Sequence, residues 1–119
     1  YEMKTVKYVP TICKAEGSEW SGHVTLRGMT FDEKYDYMEA MGIGIDDDGN
    51  VDTGAKKDRI KQSRQLVNLS EVHYVEVNFK NKAGESVKSF KEMKEEPEFF
   101  ETLVEIAMFI IGGLKVGNA

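Results

Sequence analysis

Residues 89–114 read SFKEMKEEPEFFETLVEIAMFIIGGL, the longest apolar pattern of helical period in the chain. Projected at about 100° per residue, Phe99, Phe100, Leu103, Val104, Ile106, Ala107, Ile110, Ile111 and Leu114 share one broad arc, while Glu98, Glu101, Thr102 and Glu105 fill the other side. A helix with so wide an apolar arc has to be covered along most of its girth. The rest of the chain must supply that cover, which makes this the central helix of a small domain. Pro97 suits a first helical turn, where its missing N–H has no intrahelical partner. Gly112 and Gly113 follow the last strong apolar pair and offer a left-handed stop.

The remaining segments supply strands and shorter helices. Residues 5–13 (TVKYVPTIC) alternate, with Val6, Tyr8 and Pro10 on one face. Pro10 cannot donate to a ladder, so this strand is an edge or ends there. A polar loop over 15–22 carries Trp20, and HVTLRG (23–28) reads as the returning strand of a hairpin. Thr30 and Glu33 form the S/T-x-x-E signature of a capping box. Phe31, Tyr35, Met38 and Met41 then recur at helical spacing until Gly42. Residues 44–54 (GIDDDGNVDTG) are rich in turn formers and read as a loop. A helix over 56–69 follows, with sparse apolar positions (Ile60, Leu66, Val67, Leu69), either peripheral or completing its burial against a partner. VHYVEVNF (72–79) alternates, with His73, Val75, Val77 and Phe79 facing one way. A turn over 80–84 leads to a return strand at 85–90, and Ser89 with Glu92 offers a second capping box into the terminal helix. The expected fold is a single α+β domain over 1–119, with two short antiparallel hairpins, about three helices and a long C-terminal core helix.

Composition narrows the function classes. A chain of 119 residues with 40% hydrophobic content fits one compact domain. Its longest uncharged apolar run, 106–114, is far shorter than the ~20 residues that span a bilayer, so no membrane role is expected. Lys4 and Lys7 interrupt any signal-like apolar run near the start. A single cysteine, Cys13, excludes an internal disulfide and a cysteine-based zinc site. It reads as a small core residue in a reducing, cytosolic setting. The net charge of −5 argues against general affinity for nucleic acid.

No catalytic constellation stands out, and neither a catalytic residue nor a cofactor is expected. Serine elbows, HExxH, Walker A and GxGxxG patterns are absent from the sequence. His23 and His73 lie on different strands without a third ligand, and both read as structural. Lys56, Lys57, Arg59, Lys61 and Arg64 form a basic run interrupted by Asp58. That run reads as a solvated helix face, or as one that pairs with an acidic surface of a neighbouring copy.

Three stretches together, HVTLRGMTFDEK, VEVNFKNKAGESVKSF and EEPEFFETLVEIAMFIIGG, set in this order around a charged middle helix, resemble the tail assembly chaperones of long-tailed bacteriophages. The resemblance spans nearly the whole chain and is one of layout, without an invariant motif, so no functional residue carries over individually. It implies a non-enzymatic assembly factor in the cytoplasm of the infected host cell. Such a factor self-associates into rings or spirals and holds the tape measure protein while the tail tube polymerises. It then leaves before the virion is mature. The major tail protein is a further implied partner. Many such proteins are also made in a longer, frameshifted form, and the ending KVGNA suits such a junction. The alternatives are a structural tail or head–tail connector subunit that stays in the particle, or a small regulatory protein-binding domain.

Within the terminal helix, Phe109 falls outside the apolar arc among Glu98, Thr102 and Glu105, and Met108 lies at the arc's opposite border. A phenylalanine on an acidic face invites cover, since burying its ring is worth roughly 1.5–3 kcal/mol. Either the chain's own hairpins or N-terminal segment cover it, or Phe109 with Met108 anchors a contact between neighbouring copies in a ring or spiral.

Asp46, Asp48 and Asn50 alternate as the first ligands of an EF-hand loop do. Val51 and Lys57 occupy the positions where that loop needs its glycine and its bidentate glutamate, so no metal site is expected. Calcium titration followed by calorimetry should show no saturable site at sub-millimolar concentration. Thermal stabilisation by calcium that Asp48→Ala removes would overturn this.

Overall fold

The computed structural model describes residues 4–42, 44–45, 51–52 and 59–113. In chain order these form β1 (Thr5–Tyr8), α1 (Thr11–Lys14), β2 (Trp20–Arg27), α2 (Phe31–Ala40), β3 (Gly44–Ile45), β4 (Val51–Asp52), α3 (Arg59–Ser70), β5 (Tyr74–Asn81), β6 (Ser86–Val87), α4 (Phe90–Glu95) and α5 (Phe100–Ile111). Single 3₁₀ turns, Glu71–His73 and Pro97–Phe99, precede β5 and α5. The fold is α+β, as expected. The two hairpins join into one antiparallel sheet of order β1-β2-β5-β6, because β2 also pairs with β5.

Alternation along β2 explains which sheet face is covered. Trp20, Val24 and Leu26 are buried, while Ser21, His23 and Thr25 point to the polar face. Val77 and Phe79 continue the inner face on β5. Against it pack Phe90, Met93, Phe99, Leu103, Ile106 and Ile110 from the C-terminal third. Phe99 is fully enclosed, its ring 4.8 Å from that of Trp20 and 5.0 Å from that of Phe79. Trp20 is therefore the first residue of β2 and a core residue rather than part of a polar loop. Its indole N–H donates to Glu98 at 3.0 Å.

Among the described residues five helices stand where about three were expected, for local reasons. Strand β1 stops at Tyr8, and Pro10 opens the single turn α1, so residues 11–13 are helical rather than extended. The terminal stretch is not continuous. Pro97 disfavours the helical conformation at Glu96, which sits at φ −101°, ψ 110°, and the chain restarts through the 3₁₀ turn into α5. The Ser89 hydroxyl accepts from the Glu92 N–H as expected, although the Glu92 carboxylate reaches back to Lys88 N–H. At the C-terminal end Gly112 stays right-handed, and Gly113 takes the left-handed position at φ 91°. Residues 44–54 are not wholly loop, since β3 and β4 pair at its two ends. Asp46, Asp48 and Asn50 lie outside the described residues.

Three faces differ from the sequence expectation. In α2 the capping box of Thr30 and Glu33 is complete and Gly42 ends the helix at φ 73°, yet Tyr37 is the buried residue. Phe31 and Tyr35 are exposed. In β5 the register shifts at Thr25/Leu26, so that Thr25 faces Glu76 and Leu26 faces Tyr74. Val75 is left as the extra residue of a bulge and is exposed, while Tyr74 turns inward against Phe90. In α5, Thr102 is buried and Phe100 is 70% exposed, so the buried arc is rotated roughly 40° toward Thr102.

One glycine is required by the sheet. Gly22 has φ 123°, and a Cβ there would lie 2.0 Å from the Asn78 carbonyl oxygen of β5. Gly22→Ala should lower stability by at least about 2 kcal/mol, since a strained backbone alone costs about 1–3 kcal/mol. A urea-denaturation midpoint unchanged from wild type would refute this.

Candidate functional site

The residues that sequence reasoning marked for contact between copies are placed apart. Met108 is exposed, whereas Phe109 is half-buried with its ring stacked 4.2 Å from that of Tyr8. Beside it, Glu105 accepts from the Tyr8 hydroxyl and, at 3.1 Å, from the Thr11 N–H. The N-terminal segment thus lies over this part of α5. Burial and the neighbouring Glu105 charge push the Cys13 thiol up to about 11, so it is protonated and unreactive near neutrality.

The two histidines do not meet. His23 sits on the polar sheet face, with Nε2 3.6 Å from Glu76. His73 is fully buried, and its Nδ1 lies 3.1 and 3.2 Å from the carbonyl oxygens of Arg27 and Gly28. Carbonyls only accept, so Nδ1 carries a proton. Burial lowers the His73 pKa, outweighing the opposite pull of Glu33. Arg27 grips Glu33 through two parallel hydrogen bonds of 3.0 and 2.8 Å, and this holds the Glu33 carboxyl down at about 2. Tyr37 packs 5.7 Å from His73, and burial raises its pKa. This cluster locks the start of α2 onto the β2–β5 pair. A proton acceptor sealed from solvent has no substrate to act on. Among the described residues no three His, Cys, Asp or Glu side chains converge to hold a metal ion.

One opening that reaches solvent is apolar. Between α3 and the α4–α5 corner runs a groove of about 620 Å³. Val67, Met93, Leu103 and Val104 line its depth, and Ile60 and Phe100 stand at its mouth. These last two are 82% and 70% exposed. Its origin is the rotation of α5: with Thr102 turned into the core, the Phe100–Val104 edge of the apolar arc overshoots it and faces α3. The polar border is mixed, with Arg64, Asn68 and Lys94 toward α3 and Glu96 and Glu101 toward α5. Lys94 is tied to Asn68 at 2.9 Å, one helical turn beyond Arg64, so the two cations follow one side.

A scan against protein-family models finds no match to this chain, and searches of the curated proteins and of the solved structures find none either. The site is therefore read on its geometry. The helical projection puts Phe100 and Val104 in the covered arc, so periodicity alone does not show the groove. The sparse apolar pattern of α3 was its one legible sign.

The cluster around His73 makes stability pH-dependent in two stages. His73 is depressed in the fold, so its contribution is present above the ordinary 6.5 and is lost as pH falls below it. Glu33 is likewise depressed, so its contribution is present above 4.5 and is lost as pH falls toward about 2. Urea midpoints measured across this range should fall in both windows, and Arg27→Met should flatten the lower one. Stability that stays level from neutrality to pH 5 would contradict a buried neutral His73.

Proposed function

We propose that this protein is a non-enzymatic assembly chaperone of long-tailed phage tails, which self-associates and holds the tape measure protein while the tail tube forms. The open apolar groove between α3 and α5 is the observation that carries this reading. A groove bordered by two helices, apolar in its depth and mixed in charge at its border, suits the apolar face of an amphipathic helix. A tape measure protein is a long helical chain that offers such faces repeatedly. Covering the Phe100 ring alone contributes roughly 1.5–3 kcal/mol, enough to favour docking and small enough for release. Release matters for a chaperone, which acts in the host cytoplasm and is absent from the finished particle. Among the described residues no helix is long and apolar enough to cross a membrane. The order of elements along the chain adds the resemblance in layout noted from the sequence.

Co-expression with the cognate tape measure protein tests the reading. The wild-type protein should be retained in a pull-down, Phe100→Asp should lose most of that retention, and purified virions should lack the protein. No retention, together with abundant protein in virions, would overturn the chaperone reading in favour of a structural subunit.

A further inference from the structure

A second exposed apolar feature stands on α2. Phe31 and Tyr35 lie one turn apart with their rings in edge contact, centroids 5.0 Å apart, and they are 75% and 55% exposed. On the helical projection Asp32, Asp36 and Glu39 border this pair on one side and Lys34 borders it on the other. The groove carries the opposite pattern: Arg64 on α3 with Lys94 of α4 held beside it by Asn68, and Glu96 and Glu101 flanking the start of α5. None of these eight charged side chains has an ion-pair partner among the described residues. The α2 pair and the groove therefore match in both apolar character and charge.

The pair cannot reach the groove of its own chain. Tyr37 is buried beneath α2, the Thr30–Glu33 capping box fixes its first turn, and Arg27 holds Glu33 to the end of β2. On the far side, α3 separates α2 from the groove, since α3 contacts α2 and α5 both. The partner must be another molecule.

We infer that in the free protein the groove of one copy is filled by Phe31 and Tyr35 of a second copy, with Asp32 and Asp36 set against Arg64 and Lys94. This contact rests on the reading of the groove as a helix-docking site, and it names a second occupant for it besides the client helix. It joins two different surfaces, so each copy offers one knob and one groove, and the contact repeats from copy to copy instead of closing a symmetric pair. Two aromatic side chains bring about 150–250 Å² each. That falls short of the roughly 1,200 Å² total of a stable interface. Each joint is therefore weak, and a client helix competes with it for the same groove.

Complementary variants test this directly. The double variant Phe31→Ser, Tyr35→Ser keeps the groove and loses the knob, and Phe100→Asp does the reverse. All three positions are exposed, and circular dichroism checks that the fold is retained. In analytical ultracentrifugation the wild-type protein should associate increasingly with concentration, and each variant alone should sediment as a monomer. An equimolar mixture of the two should form one-to-one pairs and nothing larger. A monomeric wild type at millimolar concentration, variants that still associate, or a mixture that stays monomeric would each overturn the contact. The groove reading is separable. If Phe100→Asp loses the tape measure protein while the mixture fails to pair, the groove binds its client and the contact between copies is wrong.

Discussion

The seating of Phe99, Ile106 and Ile110 on the inner face of β2 and β5 is the contact on which the other parts depend. Val24, Leu26 and Phe79 close the other side, and these side chains are buried essentially completely. Close packing leaves one rotation of α5 that fills the space without voids. That rotation brings Thr102 in and turns Phe100 and Val104 out. It also presents Glu105 and Phe109 where Tyr8 reaches them. The groove and the docked N-terminal segment lie on opposite flanks of one helix and follow from one packing choice.

Much of the fold was legible because its signals are local. The capping box at Thr30 needs only two residues at fixed spacing, and both of its hydrogen bonds form. Val77 and Phe79 alternate against polar neighbours, and both are buried. Where sequence reading failed, tertiary geometry had decided between locally equivalent choices. Tyr37 and the Phe31–Tyr35 pair are all aromatic positions on α2, and it is Tyr37 that packs into the core and against His73. Val75 fits an alternating strand until the pairing with β2 shifts at Leu26. Pro97 opens the 3₁₀ turn that leads into α5, and its effect on Glu96 separates that turn from α4.

The groove was less legible than the fold because it belongs to no single segment. Its two walls come from α3 and from the α4–α5 corner, with β5 and β6 between them in sequence. Phe100 and Ile60 look like ordinary core candidates on their own helices. The exposure of Phe100 follows from the rotation of α5 that buries Thr102, which periodicity does not encode. The groove and the α2 pair, one concave and one convex, both carry charged borders of mixed sign. Polar rims of this kind surround the apolar centres of protein–protein interfaces.

The Tyr8–Glu105 hydrogen bond spans 97 positions of the chain, and the Trp20–Glu98 bond spans 78. On a ribosome that distance becomes time. β1 and β2 emerge early and can pair, but a lone hairpin is marginal in water. Most of the cover for Trp20, Val24 and Leu26 comes from residues 77–110, which are made after the hairpin. The β1–β2 hairpin therefore stays half a sheet without its cover until β5, β6 and the C-terminal helices have been made.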